Sequence, residues 1–348
     1  MSGGVGLRSS ASLSQIGRDM FPANPPKVSC VTIFYNRGDL LDRSVGSLLE
    51  QTLSDLEIIV VDDGSTDDTA MRLATKDDPR LKIVYQENIG FTASMNRAIR
   101  GSVGQYVAVH GAGDVSHPDR LALQAAYLDA NPSVGAVGCR RADNGRATIS
   151  NDSVKRGPML DVMLNYNPFS HGEVMFRRSL FDRVGGYREA FRFAQDRDLW
   201  LRMGRYCDYA VLPQLLYYRK YFDGGVTKTP RSLYLQTRLS QFAVQCAQDI
   251  DLDGRDLFDR LGPSAFFLIH VEKSLAHKYT LFGLRALRDN ESEAAQTFLT
   301  AAFREHMSLY TLAGRIALQA SRIAGLRGVV RRLLRLATPK DTPVEQDP

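Results

Sequence analysis

The sequence predicts an α/β fold: a mostly parallel sheet flanked by helices, followed by an α-helical C-terminal region. Three observations predict it. Short apolar strand patterns alternate with helical ones from Val28 to Cys139, an order that implies a parallel sheet covered on both faces. Polar turn residues follow the strands abruptly, as at Asp62 to Ser65. After Gly225 the strand patterns stop, and helical ones run from about Pro230 to Leu336.

The elements follow in order. Val28 to Phe34 is a short strand that reads as buried. Leu40, Leu41, Val45, Leu48 and Leu49 then recur at helical spacing. Leu56 to Val61 is a second strand, and a polar helix leads to a third at Leu81 to Tyr85. Ile89 to Arg100 reads as a helix, Tyr106 to Val109 as a fourth strand. A helix opens at Ser116-His117-Pro118 and runs to about Asp129, with Pro118 early, where its missing N–H costs nothing. Val134 to Cys139 is a fifth strand. Asp143 to Gly225 is less regular, but Asp196 and Asp198 sit where a helix dipole favours acid. Ligands of such sheets bind beyond the carboxyl ends of the strands. Tyr35, Asp62, Asp63 and Asp114 each follow a strand and are expected at one edge.

Composition narrows the class. The chain has 348 residues, 44% hydrophobic and 24% charged. Disordered, collagen-like and small disulfide-stapled chains are excluded. The net charge of +5 is mild, and no nucleic-acid partner is expected. Cys30, Cys139, Cys207 and Cys246 form no Cys-x-x-Cys pair and lie among apolar neighbours; they read as reduced core thiols, which fits a cytoplasmic setting. No stretch approaches 18 uncharged apolar residues, so no bilayer span is expected. Residues 1–27 are rich in Gly, Ser and Pro and lack the apolar core of a secretory signal. They are expected to be a mobile tail. The remaining units are expected at 28–226, 227–338 and a tail at 339–348.

Several ordered stretches then carry a resemblance. They are VSCVTIFYN at 28–36, SLLEQT at 47–52, EIIVVDDGSTD at 57–67 and NIG at 88–90. PDRL at 118–121, HGEVMFR at 171–177 and QDRDLWLR at 195–202 complete the series. Each alone is weak; in this order and spacing they resemble the family-2 glycosyltransferases of the GT-A fold. The resemblance covers roughly Lys27 to Phe222. It implies a nucleotide-sugar donor and transfer of the sugar to a glycan or lipid-linked acceptor in cell-surface polysaccharide synthesis.

The resemblance also implies roles. Asp63 would accept the imide N–H of a uracil, with Tyr35 lining the base pocket and Asp62, Asn96 and Asp114 completing the nucleotide site. The alternative for Asp62 and Asp63 is an Asx turn, since Asp and Gly favour turns. Asp196 would be the base that deprotonates the acceptor hydroxyl, a role worth typically about 10²–10⁴-fold. A single carboxylate opposite the leaving group implies one in-line displacement with inversion. Its alternative is a helix cap. Asp198, two residues on, does not share its helix face and reads as structural. His171 and Trp200 would lie on the acceptor side, with a structural hydrogen bond and core packing as their alternatives.

One departure concerns the metal. The family uses a D-x-D motif after the fourth strand to hold a divalent cation, Mg or Mn, that stabilises the leaving diphosphate. The corresponding positions here are Gly111 and Gly113, and only Asp114 keeps a carboxylate. Three readings stay open. Asp114 holds the metal, with His110 assisting or merely packing; Lys or Arg side chains replace the metal; or the site no longer catalyses. The last makes the chain a non-catalytic nucleotide-sugar-binding or scaffold protein. A dinucleotide-dependent oxidoreductase is not expected, because no Gly-x-Gly-x-x-Gly follows the first strand.

Residues 307–340 contain no acid and seven basic residues: Arg315, Arg322, Arg327, Arg331, Arg332, Arg335 and Lys340. Leu, Ile and Val are interleaved with them. Such a helix reads as binding an anionic membrane surface, placing the protein peripherally on the inner face of the cell membrane. A solvated basic face or a homo-oligomer interface is the alternative.

Overall fold

The computed structural model describes residues 25–147, 153–220, 229–323 and 325–337. The expected tails, the boundary near Thr227 and Lys340 therefore lie outside or at the margin of the described residues.

The strands are β1 (Val28–Phe34), β2 (Leu56–Asp63), β3 (Leu81–Gln86), β4 (Tyr106–Val109), β5 (Val115–Ser116), β6 (Val134–Asp143), β7 (Arg146–Ala147), β8 (Lys155–Pro158), β9 (Met175–Arg177) and β10 (Asp208–Arg219). They form one sheet in the order β3-β2-β1-β4-β9-β6-β10-β5. The first four are parallel. Strand β9 runs antiparallel between β4 and β6; β10 is parallel to β6 and antiparallel to the edge strand β5. The helices of this unit are α1 (Gly38–Leu49), α2 (Thr69–Leu73), α3 (Phe91–Arg100), α4 (Arg120–Ala130), α5 (Met159–Asn165), α6 (Arg178–Arg183) and α7 (Gln195–Met203). Beyond them come α8 (Pro230–Gln248), α9 (Leu257–Leu261), α10 (Lys273–Asp289), α11 (Ser292–Glu305), α12 (Leu309–Ala320) and α13 (Leu326–Ala337).

Alternation divides the core. Val31 and Ile33 face one layer, with Met95, Ile99 and Trp200; Cys30 and Phe34 face the other, with Leu41, Val45 and Leu121. Successive side chains of a strand point to opposite faces, so strands buried on both sides must be apolar throughout. The fold thus has the α/β architecture that the sequence predicts. Phe242, Val244 and Cys246 of α8 join the Trp200 layer, so this helix shares a core with the sheet. Helices α10 to α13 bury a separate cluster around Leu275, Phe298 and Leu299. Three cysteines are buried, Cys207 is half-buried, and all four are free.

Several boundaries differ from expectation for visible reasons. Strand β2 continues to Asp63 because Asp62 and Asp63 still pair with Tyr85 and Gln86. Strand β6 runs four residues past Cys139, held by β10 as far as Arg219. Helix α3 begins at Phe91, not Ile89, because the N–H groups of Ile89 and Gly90 donate to Asp63. Val115 and Ser116 pair with β10, which delays α4 to Arg120.

Candidate active site

Strand ends converge on one edge. Tyr35, just past β1, is 49% exposed. Asn36 takes a left-handed φ of 50°, donates its N–H to Ser65 Oγ at 2.9 Å and accepts the Thr66 N–H at 2.7 Å. These bonds tie the loops after β1 and β2 together. Asp62 accepts the Ser65 N–H through Oδ1 at 3.0 Å, closing an Asx turn.

Asp63 is buried and fully occupied. Its Oδ1 accepts from Gln86 Nε2 (2.7 Å), Ser94 Oγ (2.8 Å) and the Ile89 N–H (3.1 Å). Its Oδ2 accepts the Gly90 N–H at 3.0 Å. A carboxylate offers about four acceptor sites, so its donors are already supplied by the protein. Through these bonds Asp63 shapes the loop between β3 and α3. Asn96 is likewise turned inward: its Oδ1 accepts the Tyr187 N–H and its Nδ2 donates to the Tyr187 carbonyl, both at 2.9 Å. Asn96 thereby clamps the Tyr187 segment.

Asp114 follows β4 and is almost buried. Oδ2 accepts the Tyr217 hydroxyl at 2.7 Å and Oδ1 the Lys220 N–H at 3.1 Å. Burial pushes its carboxyl up, against the pull of Tyr217, the Lys220 N–H, Arg219 and Arg37. The two expected acidic positions are filled by other needs. A Cβ on Gly111 would overlap the Asp114 carboxylate and lie 3.2 Å from the Tyr217 hydroxyl. Gly113 has φ of 98°, where an acidic side chain is strained. His110 is buried: Nε2 meets Ser44 Oγ and the Asp114 carbonyl at 3.1 Å, and Nδ1 meets Ser116 Oγ at 3.2 Å. Both ring nitrogens are engaged, and burial holds its pKa well below the ordinary value. His110 thus packs between α1 and the Asp114 loop. Among the described residues no three His, Cys, Asp or Glu side chains group as a metal site. A hard cation takes six or more oxygens, and among the described residues the protein supplies it here with one carboxylate already bonded twice.

The third component is α7. Ala194 takes a left-handed φ of 56° as the residue before the helix and turns the chain so that Asp196 falls in the first turn. Asp196 is half-buried, and Asn167 Nδ2 donates to its Oδ2 at 3.3 Å. Arg197, next in sequence, turns away to the Met163 carbonyl at 2.8 Å and to Ser240 Oγ at 2.8 Å, joining α7 to α5 and α8. Asp198 is buried between Arg188 (3.0 Å) and Arg202 (2.7 Å), the structural role expected for it. Trp200 is 0% exposed and packs on Phe176 at 5.5 Å and Phe169 at 6.0 Å. It lies 6.2 Å behind His171 and backs the site from the core.

The short turn His171–Glu173 joins these parts. His171 Nε2 lies 2.7 Å from the Tyr187 hydroxyl, and its ring meets Phe91, the first residue of α3, edge-on at 5.6 Å. Burial lowers its pKa, while the Asp196 charge opposes that shift. The neutral ring therefore sits within the field of Asp196. Gly172, the next residue, has room for no Cβ beside Tyr217 and the Gly111 N–H, and its carbonyl accepts from Arg120 Nη1 at 2.8 Å. The loop under Asp63, the Asp114 loop and Asp196 thus meet at one turn. Sequence reading missed Tyr217 and Tyr187: each is a lone tyrosine, and only long-range packing gives it a partner.

Residues 29–193 match the family described as Glycosyl transferase family 2. EpsE of Bacillus subtilis (strain 168), whose name marks it as a provisional glycosyltransferase, is 32% identical over 189 residues, 51% of this chain and 66% of that one. The match spans just under two thirds of that relative's own length. Among solved structures, S. aureus TarS 1–349 in complex with UDP-GlcNAc superposes with a TM-score of 0.55 at 19% identity, covering 92% of this chain and 95% of that one. The mannosyltransferase PcManGT of Pyrobaculum calidifontis, in complex with GDP-Man and Mn²⁺, gives 0.52 at 20% identity, covering 90% and 86%. These structural likenesses concern the fold.

Proposed function

This chain belongs to glycosyltransferase family 2, and we propose that it moves a sugar from a nucleotide donor to a glycan or lipid-linked acceptor in cell-surface polysaccharide synthesis, with inversion. The observation that carries the reading is the placement of Asp196. It is a half-buried carboxylate whose neighbour Arg197 bonds away from it to Met163 and Ser240, beside a His171 whose pKa burial lowers.

The chemistry follows from that placement. The acceptor oxygen forms the new bond to the anomeric carbon. Its proton passes to the Asp196 carboxylate. The old carbon–oxygen bond breaks, and its electron pair leaves with the diphosphate. Neutral His171, aligned by Tyr187, contributes a hydrogen bond near the acceptor and no competing charge. At the donor end, half-exposed Tyr35 and the second oxygen of Asp62 serve the nucleoside, while Asp63 and Asn96 hold the loops behind them.

The location reading rests on α12 and α13. Leu326, Val329, Leu333 and Leu336 recur at helical spacing and stay exposed, the last two at 61% and 79%. Arg332 and Arg335 stand exposed beside them. Leu309, Leu312 and Ile316 continue the apolar face on α12. An apolar stripe edged by arginines suits an anionic bilayer, reached peripherally from the cytoplasmic side. Among the described residues no helix is long and apolar enough to cross a membrane.

The test is incubation with a panel of UDP-, GDP- and dTDP-sugars, reading released nucleotide with and without crude lipid-linked acceptor. Acceptor-dependent release from one donor is expected. Tight binding of a donor without any release would favour the non-catalytic reading.

A further inference from the structure

We propose that the donor's leaving diphosphate is neutralised by the side chains of Arg43 and Lys220, in the cleft beside Asp114, and not by a divalent cation on the two expected acidic positions. The proposal rests on the transfer reading and asks which charges serve it.

Three independent observations support it. The first is steric. Gly111 faces the Asp114 carboxylate and the Tyr217 hydroxyl, and Gly113 holds a left-handed backbone; neither position has room or conformation for an acid. The second is competition. Asp114 spends one oxygen on the Tyr217 hydroxyl and the other on the Lys220 N–H, bonds a metal would have to compete with. The third is the charge of the neighbouring space. A cleft of about 320 Å³ opens against Gly113 and Val115, lined also by Arg43, Tyr218, Arg219 and Lys220, with no acid among the described residues of its wall.

The roles of these cations differ. Arg219 is fixed: Nε and Nη2 grip the two oxygens of Asp143 at 2.9 and 3.0 Å, and Nη1 donates to Ser170 Oγ at 3.1 Å. It builds the wall. Arg43, from α1, and Lys220, at the end of β10, are exposed and have no carboxylate partner among the described residues. Unpaired cations around a cleft focus its potential and draw in an anion of opposite charge. A guanidinium and an ammonium also match phosphate oxygens through charge-assisted hydrogen bonds. They provide at the departing oxygens the positive charge that a Lewis-acidic metal supplies elsewhere.

The experiment is titration calorimetry of the full chain with UDP, GDP and the corresponding nucleosides, in EDTA and in Mn²⁺. One nucleoside diphosphate is expected to bind equally in both. Arg43→Ala and Lys220→Ala should each weaken it by about 10-fold, the change expected for loss of one good charged contact. Nucleoside affinity should stay unchanged, and thermal unfolding should confirm intact folding. Binding that requires Mn²⁺ and vanishes in EDTA overturns the proposal while leaving the transfer reading standing. Wild-type affinity in the Arg43→Ala, Lys220→Ala double variant also overturns it. If no nucleoside diphosphate binds under either condition, the transfer reading falls and this proposal with it.

Discussion

The Tyr217 hydroxyl donates to Asp114 Oδ2 at 2.7 Å and accepts the Gly111 N–H at 2.9 Å. A phenol delivered by β10 therefore occupies space that an acidic residue at position 111 would need. Tyr217→Phe leaves a buried carboxylate oxygen and a backbone N–H without their partner. The expected cost is about 1–3 kcal/mol of stability, read as a lower urea midpoint at unchanged slope.

Asp196→Asn removes the proton acceptor and keeps the shape. Transfer should fall about 10²–10⁴-fold, while nucleoside diphosphate affinity in calorimetry stays at the wild-type value. A variant turning over at the normal rate would show that another group takes the proton.

Asp63→Asn separates scaffold from ligand. The amide accepts through only one atom, so at least one of the four donors around Asp63 meets an N–H₂ group. The expected loss is about 1–3 kcal/mol, measured by thermal unfolding without nucleotide. An unchanged melting temperature would mean that the carboxylate does not hold the loop.

Stability should depend on pH with two opposed slopes. Burial holds His110 and His171 below the ordinary value of 6.5. The unfolded chain binds their protons first, so the stability they confer is complete above pH 6.5 and is lost as pH falls below it. Glu173 has the opposite sign. Burial pushes its carboxyl from 4.5 up to about 7, so its stability is complete below pH 4.5 and is lost as pH rises through about 7. Glu173→Gln should therefore raise the melting temperature more at about pH 8 than at about pH 5. An equal shift at both pH values would remove the titration as its cause.

The apolar stripe on α13 predicts vesicle binding. Leu333→Asp with Leu336→Asp should abolish flotation with vesicles rich in anionic lipid, and raised salt should weaken the wild-type protein. Unaltered flotation of the variant would exclude this face as the contact. If the wild-type protein dimerises instead and ignores vesicles, the stripe is a self-association surface.

Much of the fold was set by local pattern. Strands β1, β2 and β4 are buried along their length and mostly apolar, as a sheet covered on both sides requires, while β3 at the edge mixes Leu81, Ile83 and Val84 with Lys82 and Gln86. The same local logic placed Tyr35, Asp62 and Asp114 at strand ends and separated Asp198 from Asp196 by helix geometry. Tertiary structure decided what those side chains do. Asp63 and Asn96 sit where the motifs put them, yet their polar atoms are spent on Gly90 and Tyr187, from segments whose approach no spacing encodes. The Asp114 site was settled by a tyrosine 103 residues away. A carboxylate's role depends on which donors fill its few acceptor positions, and those donors arrive from strands distant in sequence, through packing alone.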